Sequence, residues 1–366
     1  TDGALPASDR IAEHLDNCTG CLSCQAVCPA NVLYGELIDL GRAELRRRGR
    51  KRRVAARMLA MLSRSPPVTV ILLRLLRAAR RLGIDRLALR LGLAPDHWLG
   101  RVLTSLPVPE RNAALRPSAN RGAPAEGRQV MLFTGCVSRS VDPATLTDTT
   151  RVLERIGYRV NVPSAQVCCG ALDLHDGEPG KARTNAARNC AAFGTDGQPI
   201  LTVASGCAAT LVQYDRLSPR DCERLSCRVA SVEAFIEDHW AADTPVLGPL
   251  AGRVMIFEPC TARNVLPRPS ATRRLLARIP ALDIVELGTG LGCCGAAGHH
   301  FLTRASQADA LAAPIVQEIA GCAPDFLAVP NVGCALHIGG MMSGWPDSPE
   351  VLHPITLIAR SLAESD

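Results

Sequence analysis

Cys168-Cys169-Gly170 is the stretch that decides the fold, because the same three residues return at Cys293-Cys294-Gly295. Each pair lies midway between two further cysteines, Cys136 and Cys207 in the first set and Cys260 and Cys334 in the second. The gaps agree closely, with 32 and 33 residues before the pair and 38 and 40 after it. The flanking sequences repeat as well, since VMLFTGC at 130–136 corresponds to VMIFEPC at 254–260. An internal repeat of this kind indicates two copies of one structural module of about 120 residues.

Short apolar runs alternate with helical patterns in both modules. Strands are predicted over 130–133, 158–162 and 199–204 in the first module and over 254–257, 282–287 and 326–329 in the second, with helices between them that include 181–193 and 303–320. This alternation indicates an α/β fold in which helices cover a parallel sheet in each module. Cys136 and Cys207 each follow a predicted strand directly. We therefore expect the cysteines of a set to meet at the carboxyl ends of the strands, where open α/β sheets bind ligands.

A different cysteine motif lies near the start of the chain. Cys18, Cys21, Cys24 and Cys28 form a C-x2-C-x2-C-x3-C-P run that ends at Pro29. This is the bacterial ferredoxin spacing, and it predicts a [4Fe-4S] cluster on these thiolates, within a helical ferredoxin-like domain. A structural zinc knuckle is the alternative, since four thiolates also suit tetrahedral zinc. In two-cluster ferredoxins the fourth cysteine of such a run ligates the other cluster, yet the sequence holds no second run.

The paired cysteines leave three interpretations open. Side chains of adjacent residues diverge, so they suit a multi-iron cluster with one thiolate per iron better than a single tetrahedral zinc ion. Zinc in one module and plain buried thiols are the alternatives. The predicted metal ligands of the two modules are Cys136, Cys168, Cys169, Cys207, Cys260, Cys293, Cys294 and Cys334. His299 and His300 follow the second pair, where they either move protons or hold structure through hydrogen bonds.

The chain divides into five predicted parts. A ferredoxin-type segment covers 1–41, a basic helical region 42–105 and a Pro-, Gly- and Ala-rich linker 106–127. The first cysteine-rich module covers 128–240 and the second 253–366, with a shorter linker between them. Residues 42–101 hold 17 Arg or Lys against three acidic residues, a net charge of +14. This charge indicates either a solvated helical face or a docking surface for an acidic partner or an anionic membrane.

Composition narrows the class of protein. Sixteen cysteines in 366 residues, mostly in ordered sets, favour metal or cluster binding in a reducing compartment over a disulfide scaffold. Cys190, Cys222, Cys227 and Cys322 belong to no set, and Cys190 falls on an apolar helix face, where a free thiol behaves as a small hydrophobe.

Aromatic residues make up only 3% of the chain, which argues against nucleic-acid binding by base stacking. The polar N-terminus and the lack of an apolar run of about 18 residues predict a cytoplasmic protein, with a peripheral place on the inner face of the membrane as the alternative.

Neither a nicotinamide nor a flavin site is predicted. GTGLGC at 288–293 begins like a dinucleotide fingerprint, but Cys293 replaces the third glycine. A redox protein without such a cofactor needs another chain to take hydride from an organic substrate.

With these residues in view, the chain resembles the iron-sulfur subunits of bacterial glycolate oxidase over nearly its whole length. Beyond the cysteines, the resemblance rests on EHLD at 13–16, YGELIDLG at 34–41 and TVASGC at 202–207. The paired-cysteine module is also similar to the CCG modules of heterodisulfide reductase, of anaerobic glycerol-3-phosphate dehydrogenase C subunits and of lactate-utilisation proteins.

The resemblance implies an electron-transfer subunit of a flavin-dependent 2-hydroxyacid dehydrogenase, in particular the glycolate enzyme. It implies flavin-binding dehydrogenase subunits as partners and the membrane quinone pool or another compound as electron acceptor. Substrate oxidation by this chain alone is not expected, and no catalytic residue is predicted. The alternative functions are a thiol or disulfide redox subunit of the heterodisulfide-reductase type and a scaffold subunit whose modules hold zinc.

Two departures from the resembled families bear on these expectations. Glycolate oxidase iron-sulfur subunits carry two ferredoxin runs, and the run present here matches the second, so we expect the first to lie before Thr1. Heterodisulfide-reductase modules end in C-x-x-C, whereas Ala204 and Asn331 stand at the extra cysteine position here. The second departure favours simple electron transfer over disulfide cleavage.

Overall fold

The computed structural model describes residues 8–51, 56–58, 61, 66–82, 98–105, 128–218, 222, 224–240, 246–288 and 292–362. The predicted linker 106–127 and part of the basic region lie outside the described residues, as do 241–245 of the shorter linker and 289–291 of the rejected fingerprint. The N-terminal part contains helices α1 (Asp9–Asn17), α2 (Ser23–Ala26), α3 (Tyr34–Arg47), α4 (Pro66–Arg81) and α5 (Trp98–Ser105).

Each cysteine-rich module is built on its own sheet. The first contains β1 (Arg128–Phe133), α6 (Cys136–Val141), α7 (Pro143–Arg155), β2 (Tyr158–Asn161), α8 (Ala171–Leu174), α9 (Pro179–Phe193), β3 (Ile200–Thr202), α10 (Ser205–Leu211), α11 (Tyr214–Leu217), β4 (Val229–Ser231) and α12 (Val232–His239). The second contains β5 (Gly252–Ile256), α13 (Cys260–Val265), α14 (Ala271–Leu276), β6 (Leu282–Glu286), α15 (His300–Thr303), α16 (Ala305–Cys322), β7 (Phe326–Ala328), α17 (Val332–Met341), β8 (Glu350–Leu352) and α18 (Pro354–Ser361).

The two sheets have the same topology. Their strand orders are β2-β1-β3-β4 and β6-β5-β7-β8, and every neighbouring pair is parallel. The predicted α/β fold with a parallel sheet in each module is confirmed. The sequence prediction missed the fourth strand of each sheet, because β4 and β8 are three residues long and largely half-buried or exposed. A strand this short leaves too few positions for an apolar pattern to be read.

Local sequence signals set the bounds of helix α7. Asp142 precedes it, and its carboxylate accepts a hydrogen bond from the Thr145 N–H at 3.3 Å. Pro143 occupies the first turn, where its missing N–H leaves no carbonyl unpaired. Gly157 follows the helix with φ +86°, a conformation that costs glycine little. The helix thereby connects α6, which begins at Cys136, to β2.

The two modules share one hydrophobic core. Helix α18 of the second module packs on α7 of the first, so that Leu357 and Ile358 join Leu146 and Leu153 in a single buried cluster. Thr356 also donates a hydrogen bond to Asp148 at 2.9 Å. Part of the predicted shorter linker belongs to this core, because Leu247 is buried and pairs with Leu362 in an antiparallel bridge.

The N-terminal helices lie across both modules. The Arg42 guanidinium in α3 donates to the carbonyl oxygens of Leu15 at 2.7 Å, Cys18 at 2.5 Å and His175 at 2.9 Å, and so ties the ferredoxin run to the first module. Gly177 makes this approach possible, because its φ is +76° and a Cβ there would lie 2.5 Å from the Arg42 carbonyl. On the other side, Gln307 of the second module donates to the Asn17 carbonyl at 3.1 Å.

One cysteine prediction was wrong. Cys190 is not a free thiol but forms a disulfide with Cys222, with the two Cα atoms 5.5 Å apart. Both side chains are buried among the apolar residues of the first module. Pairings between cysteines cannot be read from spacing alone, and Cys222 lies outside any predicted element.

Within the described ranges, every helix is too short or too polar to cross a bilayer.

Candidate metal centres

The first cysteine set comes together at the carboxyl edge of its sheet. Cys136 begins α6 just after β1, and its Sγ lies 3.5 Å from the Sγ of Cys168. Cys169 contacts both Cys168 and Cys207 through its thiol. Cys207 lies in the first turn of α10, just after β3. The expected gathering of Cys136, Cys168, Cys169 and Cys207 is therefore what the fold produces.

The second set repeats this arrangement with different spacings. The Sγ atoms of Cys260 and Cys293 are 4.0 Å apart, and those of Cys294 and Cys334 are 2.7 Å apart. All four side chains are buried. Asn331, which stands where heterodisulfide reductases have a fifth cysteine, donates a hydrogen bond from Nδ2 to the Cys334 Sγ at 3.2 Å.

Glycine after each pair turns a backbone donor toward a thiol. Gly170 and Gly295 have φ values of +87° and +76°, and their N–H groups point at the Sγ of Cys168 at 3.5 Å and of Cys293 at 3.4 Å. A Cβ on Gly295 would lie 2.4 Å from the Ala308 carbonyl oxygen. Any other residue at this position would push α16 away from the thiol loop.

The thiols of each set cannot all ionise by themselves. Neighbouring thiols and burial raise the pKa values of Cys136 and Cys169 in the first set and of Cys294 in the second. Hydrogen bonds from Cys260 and Cys294 and from the Gly295 N–H lower the pKa of Cys293. Four thiolates this close repel one another in a buried site, so a bound cation is needed to stabilise them together.

Different side chains hold the two paired-cysteine loops. In the first module, Tyr214 donates from its hydroxyl to the Cys169 carbonyl at 2.8 Å, and Asn189 donates to that hydroxyl at 2.9 Å. Asn189 also accepts the Val167 N–H at 2.8 Å. In the second module, the Nδ1 of His337 lies 2.6 Å from the Cys294 carbonyl oxygen.

An acidic residue and an arginine complete the support of the second loop. Asp309 lies 3.1 Å from the Nε2 of His337 and forms an ion pair with Arg101 of α5, with 2.6 Å between Nη1 and Oδ1. His337 is almost fully buried. The duplicated modules therefore keep the cysteines but fix the loop backbone with different chemistry.

The ferredoxin run lies against the second set. Asn264, four residues after Cys260, donates from Nδ2 to the Cys21 carbonyl at 2.7 Å and to the Ser23 hydroxyl at 3.3 Å. The Thr19 side chain reaches the thiol of Cys293. Helix α2, which holds Cys24, packs on α13, which begins at Cys260. These contacts place the loop of the ferredoxin run directly beside the thiols of the second module.

A cavity of about 1100 Å³ joins the three cysteine sets. It lies where the N-terminal helices meet both modules, and its wall contains three cysteines of the ferredoxin run and all eight of the modules: Cys18, Cys21, Cys24, Cys136, Cys168, Cys169, Cys207, Cys260, Cys293, Cys294 and Cys334. Cys28 is not among the described lining residues. The backbone N–H of Val32 lowers the pKa of this fourth thiol.

The donors in this cavity fit an iron-sulfur cluster. Each module offers four thiols from three separate segments, one loop and the first turns of two helices, which matches one thiolate per iron. Among the described residues, no three Cys, His, Asp or Glu side chains are arranged as a site for a single metal ion. Cys18, Cys21 and Cys24 line the cavity and Cys28 does not, which is the division expected when the fourth cysteine serves another cluster.

The two histidines after the second pair have separate environments. His299 bridges the modules, with its Nε2 2.7 Å from an oxygen of the buried Asp176. Burial, followed by the charge of His299, lowers the pKa of His300 to about 4. His299 thus has the hydrogen-bonded role that the sequence left open, and the imidazole of His300 is neutral at neutral pH.

Comparison with known proteins agrees with this arrangement. The model of the cysteine-rich domain family CCG matches residues 130–212 and 254–339, the two stretches that carry the paired-cysteine sets. The two modules that hold these matched stretches are called the first and second CCG domains below.

Several proteins are similar to the chain beyond its CCG domains. The probable glycolate oxidase iron-sulfur subunit of Bacillus subtilis is 26% identical over 376 residues, covering 92% of this chain and 79% of that protein. The glycolate oxidase iron-sulfur subunit of Escherichia coli is 24% identical over 341 residues, covering 90% and 78%. Lactate utilization protein A of Geobacillus kaustophilus is 26% identical over 231 residues, covering 62% of this chain and 96% of that protein.

Sequence reasoning missed the residues that hold the CCG loops. Asn189 and Tyr214 have no counterpart of the same residue type in the second module, and His337 has none in the first. One feature of the sequence could have drawn attention to Asn264. It is a polar residue four positions after the leading cysteine Cys260, as Ser140 is after Cys136. Its contact with the ferredoxin run depends on how distant segments pack, which the repeat does not reveal.

Proposed function

We propose that the chain is the iron-sulfur electron-transfer subunit of a flavin-dependent 2-hydroxyacid dehydrogenase, with glycolate as the substrate of the complex. Cys18, Cys21 and Cys24 bind one [4Fe-4S] cluster, and each CCG set binds a cluster of its own. Cys28 serves a further cluster, in the manner of two-cluster ferredoxins. Flavin-binding partner subunits oxidise the hydroxy acid and pass its electrons to this chain, which hands them to a membrane quinone or another acceptor.

The observation that carries this proposal is the shared cavity. Cysteines of all three sets line one space of about 1100 Å³, so clusters held there lie near enough to exchange electrons. Relatives named glycolate oxidase iron-sulfur subunits match some nine-tenths of the chain and support the substrate class. The relatives named lactate utilization protein A support a 2-hydroxy acid more broadly.

The contacts also favour an order of electron transfer. Because Asn264 binds the Cys21 carbonyl and Thr19 reaches Cys293, the ferredoxin cluster exchanges electrons first with the second CCG domain. The protein's own part is to hold the clusters at fixed separation and to exclude water from the space between them.

Disulfide reduction of the heterodisulfide type is a weaker candidate. Asn331 occupies the position of the fifth cysteine and uses its amide to bind Cys334 instead. Ala204, its counterpart in the first domain, carries no ligand atom in its side chain. Neither domain therefore offers the extra thiolate of that chemistry.

A reconstitution experiment tests the proposal. The chain is loaded with iron and sulfide without oxygen and mixed with the flavoprotein partners and glycolate, and cluster reduction is followed by electron paramagnetic resonance. We expect reduction only when partners and glycolate are both present. Glycolate oxidation by this chain without partners would contradict the proposal.

A variant pair tests the order of transfer. Asn264→Ala removes the hydrogen bond to the Cys21 carbonyl, and Ser140→Ala changes the matching position of the first domain, where the hydroxyl donates to the Cys136 carbonyl of its own helix at 3.0 Å. We expect slower reduction of the second CCG cluster in Asn264→Ala and a normal rate in Ser140→Ala. Equal rates in both variants would contradict this order.

A further inference from the structure

Helix α4 carries apolar side chains on its solvent side. Val68, Ile71 and Leu75 are 52%, 58% and 64% exposed, and Leu82, just past the helix end, is 77% exposed. Spacings of three, four and seven residues place these side chains on one face of a helix. The described parts of the chain leave this apolar stripe uncovered.

The other side of the same helix is fixed to the molecule. Leu73 is buried, and Thr69, Leu73 and Leu76 line the cavity that joins the cysteine sets. Helix α4 also packs on α6, the helix that begins at Cys136. Because its inner face is already in contact, the exposed stripe is a second apolar face, and no described residue of the chain covers it.

Cationic residues are frequent in the segment that carries the exposed stripe. Arg74 lies beside it on the helix and is exposed, and Lys51 and Arg57 are exposed nearby in the sequence. Residues 42–101 carry a net charge of +14. Of the three acidic residues in this stretch, Glu44 is already paired with Arg47 and Arg48. An apolar stripe beside cationic side chains complements the acyl chains and anionic headgroups of a bilayer surface.

The size of the helix fits a place in the membrane interface rather than across it. Its 16 residues span roughly 24 Å at about 1.5 Å per residue, less than the hydrocarbon thickness of a bilayer. An amphipathic helix of this length lies flat, with its apolar side chains among the upper acyl groups and its arginines at the phosphates.

We propose that helix α4 seats the chain on an anionic bilayer through Val68, Ile71, Leu75 and Leu82. This inference deepens the proposed function, because the inner face of the same helix borders the cysteine cavity and would place it near an acceptor dissolved in the membrane. Membrane binding itself needs neither clusters nor partners, so it is tested separately from electron transfer.

Flotation of the full chain with lipid vesicles tests the inference. The vesicles contain phosphatidylcholine alone or with about one-third phosphatidylglycerol. The variant Ile71→Glu, Leu75→Glu places acids in the stripe, and Leu37→Glu, Leu40→Glu makes the same change at side chains of α3 that are 53% and 66% exposed. We expect the wild type and the α3 variant to bind anionic vesicles and the α4 variant to lose binding about tenfold or more.

Several results would overturn the inference. Failure of the wild type to bind anionic vesicles would do so, and so would equal losses in the two variants. If the α4 variant keeps vesicle binding but no longer assembles with the flavoprotein, the stripe is a protein interface instead. Cluster reduction by glycolate and soluble flavoprotein is expected to be unchanged in the α4 variant, which separates membrane binding from electron transfer.

Discussion

Single residues decide whether each paired-cysteine loop keeps its shape, and the two CCG domains use different ones. Tyr214 and Asn189 support the first loop, whereas His337 supports the second with the help of Asp309. Such partners orient ligands and tune the groups they bind, although they touch no metal themselves. Changes at these positions should therefore act on one domain at a time.

Removing the Tyr214 hydroxyl should destabilise the first domain. In Tyr214→Phe, the Cys169 carbonyl and the Asn189 amide each lose a buried partner, so we expect the free energy of unfolding to fall by about 1–3 kcal/mol. The control is Tyr158→Phe. The Tyr158 hydroxyl has a 3.3 Å contact with Arg128 at the module edge, and we expect its removal to change the free energy of unfolding by less than about 0.5 kcal/mol. Urea unfolding measures both, and equal losses would count against the role of Tyr214.

His300 should make stability depend on pH in mildly acidic solution. Its pKa is about 4 in the folded chain because of burial and about 6.5 when unfolded, so the unfolded chain binds the proton first as pH falls. The free energy of unfolding should therefore fall by about 2 kcal/mol between pH 6.5 and pH 4. This figure allows for partial screening of His300 by solvent. In His300→Gln this contribution should vanish. Identical pH slopes for wild type and variant in chemical unfolding would refute this assignment.

At the scale of elements, the sequence best predicted those helices and strands whose positions are set by local sequence patterns. The apolar runs of β1 and β5 are local signals, and the structure has these strands where they were expected. The three-residue strands β4 and β8 depend on the neighbouring strands for their pairing, so they leave no local signal. The Cys190–Cys222 bridge and the contact of Asn264 with Cys21 likewise arise from tertiary packing.

The docking of helix α3 on the first domain should depend on Gly177. A Cβ at this position would lie 2.5 Å from the Arg42 carbonyl, and φ is +76°, so Gly177→Ala should push α3 and the ferredoxin run outward. Gly180→Ala is the control, because a Cβ there meets no atom within 4 Å and the residue lies in helix α9. We expect rapid proteolysis within α3 in the first variant only, with stability unchanged or slightly raised in the second.

At the scale of the whole molecule, the repeat predicts two modules but not their dependence on each other. Each CCG domain has a complete sheet, yet α18 of the second fills the outer side of α7 in the first. The buried cluster that includes Leu146, Leu153, Leu357 and Ile358 crosses the boundary between them. Duplication explains the likeness of the halves, whereas the shared core holds them to each other.

The first CCG domain should not fold by itself. A chain of residues 128–240 exposes the apolar side of α7 that α18 normally covers, so we expect it to aggregate or to lack a cooperative unfolding transition. Residues 128–362 retain the shared core and should unfold cooperatively. Circular dichroism during heating distinguishes the two, and a sharp transition for the shorter chain would show that the shared core is dispensable.

The most direct test of the central claim, that the cysteine sets of both CCG domains hold clusters, is the metal content of protein purified without oxygen. Iron, sulfide and zinc are measured with low-temperature electron paramagnetic resonance, in the wild type and in the variant Cys168→Ser, Cys169→Ser. We predict about eight or more irons per chain, with iron and part of the signal lost in the variant. About four irons that the variant retains, together with zinc, would contradict the claim and leave the CCG domains as a scaffold.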